Sequence, residues 1–193
     1  FILPEGDEMV PVTDSTPLIR RFEEAFPDRS VIPPDPALAF LDELLEDFAD
    51  EWLTKCMFHY RWYHEADATK ARRVLPHWAL TAVGDDEMAP IQKMIGDRQI
   101  GRLGVVGSND VTAAVIEESY VRFLTAFDAH LQKSHFLFGN RPAAADFALM
   151  GQLTCLALFD PTPSAITAEH SPRIYAWTEH MEDLSGLEIQ EDD

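Results

Sequence analysis

The sequence predicts a mainly α fold, in which a short ββα segment precedes an all-helical domain. Three observations carry this. Apolar residues recur at three- and four-residue steps from Leu38 to Cys56, and again through residues 111–132. Strand-like runs occur only ahead of Asp14. Between these regions lie four prolines, Pro27, Pro33, Pro34 and Pro36, which read as an ordered, extended linker.

The elements follow in order. Phe1-Ile2-Leu3 is a short apolar run, Pro4-Glu5-Gly6-Asp7 is turn chemistry, and residues 9–13 read as a second strand. Two strands of this length do not stand alone in water, so partners are expected upstream. A first residue of Phe rather than Met points the same way, and a leader upstream stays open. Residues 17–26 form a short helix capped by Ser15 or Thr16, with Pro17 in its first turn and Leu18, Ile19, Phe22 and Phe26 on one face. From residue 37 a long helix runs to about residue 62. Its apolar stripe is Leu38, Leu41, Leu44, Leu45, Phe48, Trp52, Leu53 and Cys56, and Asp42, Glu43, Glu46, Asp47, Asp50 and Glu51 fill its solvated faces.

Helical patterns continue over residues 67–83, with a break expected at Pro76, and over 87–100. Gly101, Gly104 and Gly107 then form a loop that ends in the N-cap signal Ser108-Asn109-Asp110; no βαβ unit surrounds them, so they are not a dinucleotide fingerprint. The helix over residues 111–132 points Val111, Val115, Val121, Leu124, Phe127 and Leu131 inward. Residues 136–140 turn, and residues 143–159 are apolar on nearly every face, as suits a central buried helix ended by Pro161-Thr162-Pro163. Residues 172–184 form the last helix, and the acidic tail frays.

Composition narrows the function. The chain has 193 residues, enough for one or two domains with a sizeable core. Lys and Arg number 15 against 34 Asp and Glu, a formal charge of −19, which argues against nucleic acid and against anionic lipid. No apolar run is long enough to span a membrane. Cys56 and Cys155 stand far apart without paired spacing, so they read as two buried, reduced thiols, consistent with a cytoplasmic protein. His59 and His64 are five apart, poor spacing for two ligands on one helical face, and His77 is isolated, so no metal site is expected. Trp52, Trp62, Trp78 and Trp177 fall in different helices and are read as packing residues. There is no Ser-His-Asp arrangement, phosphate loop or stacking platform.

One corner stands out. In Val12-Thr13-Asp14-Ser15-Thr16-Pro17 an acid and a hydroxyl meet where a helix begins. The first amides of a helix lack internal partners, and the dipole there favours negative charge, so such a corner can hold a small carboxylate. A second candidate is Phe58-His59-Tyr60-Arg61-Trp62-Tyr63-His64, an aromatic and basic stretch in an otherwise acidic helix. It is either the lining of an apolar ligand pocket or a packing cluster at a helix end.

Asn140-Arg141-Pro142-Ala143-Ala144-Ala145-Asp146-Phe147 resembles the start of the buried helix in the C-terminal domain of glutathione S-transferases. There a Ser or Thr caps the helix and an Asp three residues on reaches back to the cap's amide. Asp146 matches the acid, and Pro142 and Phe147 take the staple positions. The cap is Ala143, a departure that costs about 1 kcal/mol and leaves Asp146 as a structural helix cap. The pair Asp14-Ser15 is similar to the family's acid- or amide-Ser pair at the third helix of a thioredoxin-like domain, and the order of elements agrees along essentially the whole chain.

The resemblance implies a fold and an activity. Residues 1–30 would be the end of a thioredoxin-like glutathione-binding domain, residues 31–36 a linker, and residues 37–193 an all-α glutathione S-transferase C-terminal-like domain. The implied activity is transfer of glutathione, as co-substrate, to a small apolar electrophile in a homodimer. Asp14 and Ser15 would hold the γ-glutamyl end, and Phe58, His59, Arg61 and Trp62 would line the electrophile pocket. Asp47 or Asp50 would reach the partner subunit's glutathione amine. The residue that activates the thiol is expected upstream of Phe1, as is the family's cis-proline; Pro11 lies too close to Ser15 to be that proline. Two other readings stay open: a glutathione-dependent thiol reductase, and a non-catalytic member used for protein interaction.

Overall fold

A computed structural model describes residues 1–6 and 8–188. Strands β1 (Ile2–Glu5) and β2 (Glu8–Pro11) pair antiparallel, with Ile2 opposite Pro11 and Leu3 opposite Val10. Pro4 and Glu5 therefore belong to a strand rather than to a turn; Gly6, at φ 63°, leaves it, and Asp7 lies outside the described residues. Helix α1 (Ser15–Ala25) follows. Its cap is Asp14, not Ser15 or Thr16: the Asp14 carboxylate accepts from the Thr16 amide at 3.2 Å. Of its apolar face only Leu18 is buried, while Phe22 and Phe26 stay exposed with their rings 6.3 Å apart. Arg21 holds the hairpin to α1 through Glu5 and the Pro4 carbonyl.

The connection to the helical domain is tied down. After a 3-10 turn at Pro27–Arg29, Glu23 accepts from the Val31 amide at 2.9 Å, and the Val31 carbonyl accepts from the Ala144 amide at 2.9 Å. Helix α2 (Pro36–Asp47) begins at an N-cap, Asp35, whose carboxylate accepts from the Ala37 and Leu38 amides. A π-helical turn at Phe48–Leu53 joins α2 to α3 (Thr54–Tyr63). Helices α4 (Glu65–Ala79) and α5 (Asp85–Ile100) pack as a hairpin. Pro76 does not break α4, because it lies in the last turn and removes only one amide; the chain still closes with Leu80 donating to the Pro76 carbonyl.

Helix α6 (Ala113–Leu131) buries Ile116, Tyr120, Leu124 and Phe127. Val111 and Val115 face outward, at 88% and 55% exposure, because the helix starts only at Ala113 and its phase is set by the later residues. Helix α7 (Ala144–Leu153) continues into a second π-helical turn at Thr154–Phe159. Pro161 ends this run but also opens a further helix, α8 (Pro161–His170), since a proline at the first helical position gives up no hydrogen bond. Helix α9 (Pro172–His180) is the last; of the acidic tail, residues 189–193 lie outside the described residues.

One core runs from α2–α3 through α6 and α7 to α9, with Leu53, Cys56, Tyr60, Tyr120, Leu124, Leu149, Leu153 and Ile174 fully buried. A satellite cluster forms around Trp62, Ala68 and Ala71. The buried seam of the long helix is Ala49, Leu53, Cys56 and Tyr60, whereas Leu38, Leu41 and Leu44 are exposed. Two of its acids face inward instead: Asp42 is 1% and Glu46 7% exposed. Cys56 is buried but Cys155 only half-buried, and both are free thiols. Trp78 is exposed, edge-on to Phe159 at 5.4 Å, while Trp62 and Trp177 are buried. No helix among the described residues is long and apolar enough to cross a membrane.

Candidate functional site

The Asp14–Ser15 corner is built by α1 meeting α2. Asp14 has φ 77° and ψ 127°, and it is the single non-glycine residue with positive φ among the described residues. Such a conformation costs about 1–3 kcal/mol and persists only where its surroundings impose it. The Asp14 carboxylate holds the Thr16 amide, and the Thr16 hydroxyl donates to Glu46 Oε1 at 2.8 Å, which fixes the start of α1 on α2. Arg20 adds an exposed bond to Glu43 at 2.6 Å. Ser15 is left exposed at the first turn of α1, and its side chain makes no hydrogen bond to the described residues.

Asp50 lies within electrostatic reach of Asp14. Burial pushes its carboxyl up, and the negative charges of Asp14, Glu51 and Asp47 add to the shift, Asp14 first among them. Asp50 is half-buried and Asp47 exposed. The N-terminus of α1 thus carries, among the described residues, an unbonded hydroxyl at Ser15, the carboxylate of Asp14, and the further negative charge of Asp50 within electrostatic reach. That arrangement offers hydrogen-bond donors to a carboxylate and negative charge to an ammonium group side by side. Glu46 is the member that sequence reasoning missed, since an acid in the middle of an amphipathic helix reads as solvated surface.

The four residues expected to line an electrophile pocket are not brought together at a cleft. His59 is 0%, Trp62 5% and Arg61 7% exposed, and Phe58 packs partly buried against the satellite cluster with its ring 6.4 Å from Trp62. Arg61 spans the interior to Asp160: Nε donates to both carboxylate oxygens at 3.0 and 3.1 Å, and a terminal nitrogen donates to Oδ2 at 2.9 Å. Burial opposes the charge on Arg61, but the Asp160 carboxylate outweighs it and keeps the guanidinium protonated. Its positive field is therefore spent on a structural partner 99 residues away in sequence.

His59 and His64 meet despite their spacing. Helix α3 stops at Tyr63, and His64 is extended at φ −88° and ψ 130°, so it no longer follows the helical phase. Both Nε2 atoms lie on Glu117 Oε1, at 3.1 and 2.9 Å. His59 Nδ1 is 2.7 Å from the buried Ser108 hydroxyl. Tyr63 stacks on His59 at 4.7 Å and Tyr60 on His64 at 5.5 Å.

Two concavities among the described residues are notable. A cleft of about 590 Å³ lies between α4 and α5, lined by Lys70, Arg73, His77, Asp85, Met88 and Gln92 among others. It gives His77, Lys70 and Arg73 a common face in an acidic protein, and the helical step from Lys70 to Arg73 to His77 was the signal in the sequence. A smaller groove of about 430 Å³ is lined by Phe48, Trp52, Ser119, Arg122, Phe123 and Ala126.

At the start of α7, Asp146 is fully buried, and its two oxygens accept from the Leu137 amide at 3.0 Å and the Ala143 amide at 2.9 Å. Burial raises its carboxyl to about 6 against the pull of those amides. Asp42 reaches the same turn from α2, accepting from the Ala145 amide at 2.9 Å.

Residues 110–184, which span α6 to α9, match the family model described as glutathione S-transferase, C-terminal domain. No curated protein and no solved structure matches the chain.

Proposed function

We propose, for a chain whose residues 110–184 match the glutathione S-transferase C-terminal domain model, that Asp14 and Ser15 bind the γ-glutamyl end of glutathione and that the protein transfers the glutathionyl group, through its sulfur, to a small apolar electrophile. The observation that carries this reading is the strained backbone of Asp14 at the head of α1. Strain of this kind is retained at ligand clamps, where the surrounding contacts pre-organise the donors. The chemistry of the corner agrees. The γ-glutamyl end is a zwitterion, with an α-carboxylate beside an α-ammonium. The Ser15 hydroxyl and amide suit the carboxylate, and the negative charge of Asp14 and Asp50 suits the ammonium. A simple anion would be repelled by the same acids.

In this reading the glutathione S–H bond breaks, its proton going to solvent or base, and the thiolate sulfur bonds to an electrophilic carbon; that carbon gives up either a leaving group, which departs with its electron pair, or one π bond, whose electron pair is then protonated from solvent. The thiolate is the nucleophile, so the thiol must be activated; no residue of the described chain is assigned that role. The protein's share here is orientation, worth a large part of such a barrier. The exposed apolar row Leu38, Phe40, Leu41 and Leu44 on α2 supports a homodimer, since a row of this kind is unusual on a monomer's surface. Two free thiols fit a cytoplasmic setting.

The test is retention on immobilised glutathione and conjugation of a chromogenic apolar electrophile, for wild type and Ser15→Ala. Retention by wild type and its loss in a folded Ser15→Ala variant is the expected result. A wild-type protein that is not retained refutes the reading.

A further inference from the structure

We propose that His59, His64 and Glu117 form a binding site for a divalent first-row transition ion, with zinc the best match. The three side chains come from the last turn of α3, the turn that follows it, and α6, and their ligand atoms all lie within 4.8 Å of one another. Two of the spacings are 3.1 and 2.9 Å, from His59 Nε2 and His64 Nε2 to Glu117 Oε1. Zinc holds imidazole nitrogens and carboxylate oxygens at about 2.0–2.2 Å, so adjacent ligand atoms in a tetrahedron stand roughly 3.3 Å apart. Both His–Glu117 spacings are thus close to the edge length that such an ion requires, and the two imidazole nitrogens, within 4.8 Å of each other, are brought to it by side-chain rotation.

The surroundings favour a metal-binding reading in five ways. Imidazole nitrogen and carboxylate oxygen are the donors zinc prefers outside thiolate sites. His59 is supported from behind: its other ring nitrogen, Nδ1, lies 2.7 Å from the Ser108 hydroxyl, which is itself buried. With Nδ1–H donating to that oxygen, the tautomer leaves Nε2 free to ligate, the outer-sphere arrangement usual for metal-binding histidines. Tyr63 and Tyr60 stack on the two rings and limit their rotation. The side chains of His64 and Glu117 are 31% and 37% exposed, so an ion can enter from solvent and a fourth position stays open to water. A protein of formal charge −19 also draws cations to its surface. In place, the ion would clamp the turn between α3 and α4 onto α6.

The experiment uses metal-free protein, zinc titration by calorimetry, and the visible absorption of cobalt(II) as a report of coordination. Wild type is expected to bind one ion, with the intense bands of a four-coordinate cobalt site. His64→Ala and Glu117→Ala, both at partly exposed positions, are expected to lose that ion, and Ser108→Ala to bind it about 10–100-fold more weakly. Circular dichroism checks that each variant is folded, and His64→Gln replaces His64→Ala if that one is not. Absence of binding by wild type overturns the proposal. So does binding that survives either ligand substitution, because it places the ion elsewhere. The glutathione reading stands or falls separately, since none of these residues contributes to the Asp14 corner.

Discussion

Asp146→Asn tests which of two opposed forces governs the start of α7. Asp146 is fully buried, which favours its protonated form, while two backbone amides at 3.0 and 2.9 Å favour the ionised form. Burial wins and raises the carboxyl from 3.8 to about 6. The folded protein therefore binds this proton more tightly than the unfolded chain does. As pH falls from above 6 towards 3.8, the folded state takes up a proton that the unfolded state does not, and wild type gains stability from this group. At about 1.4 kcal/mol per tenfold change the full gain is about 3 kcal/mol, of which about 2 is realised between about pH 7.5 and about pH 4.5. Asparagine has no proton to take up. Urea unfolding of both proteins at the two pH values gives the difference free of most other titrations, although Asp42 beside it, also raised by burial, contributes through its coupling. At neutral pH the variant keeps one amide partner and turns its own N–H against the other, at a cost of about 1–3 kcal/mol, offset by the buried charge it removes. The expected result is that wild type gains about 2 kcal/mol on the variant upon acidification. A flat difference, or one of opposite sign, would show that the two amides outweigh burial and would refute the reasoning.

The Arg61–Asp160 pair and the face of α2 give two further tests. Arg61→Met leaves the Asp160 carboxylate buried and unpaired, so it is expected to cost about 3–5 kcal/mol in urea unfolding, with much of that regained in Arg61→Met combined with Asp160→Leu. A single variant within about 1 kcal/mol of wild type would show that the pair is not ionic. Phe40→Glu places a charge in the exposed apolar row of α2 and is expected to convert the proposed homodimer to monomer in light scattering, with little change in stability; a wild type that is already monomeric removes the dimer.

The pattern of what the sequence reveals has a physical cause. Periodicity reports which residues are apolar, and it locates helices well where apolar side chains do the packing, as at Tyr120, Leu124 and Phe127 in α6. It fails where polar side chains do the packing. Asp42, Glu46 and Asp146 all sit inside, and each is there to satisfy a specific donor: the Ala145 amide, the Thr16 hydroxyl, or the Leu137 and Ala143 amides. Only Asp146 is legible beforehand, because its donor lies three residues away within a known cap pattern. The partners of Asp42 and Glu46 are 103 and 30 residues distant, and no local rule reaches that far.

The same limit explains the candidate sites. The Asp14–Ser15 corner is local, so its residues can be named from sequence, but the positive φ of Asp14 and the Thr16–Glu46 bond beside it can be seen only in the fold. Arg61 looks like a pocket cation until Asp160 is found beneath it. His59 and His64 look unrelated until the helix stops between them and Glu117 arrives from α6. Side chains that carry charge are thus placed by long-range partners rather than by their own segment. A charged residue is a fair site candidate only once the structure shows which of its bonding groups remain unused. By that criterion Ser15, whose hydroxyl is unbonded among the described residues, is the better candidate, and Arg61, whose Nε and one terminal nitrogen are bonded to the buried Asp160, is the weaker one.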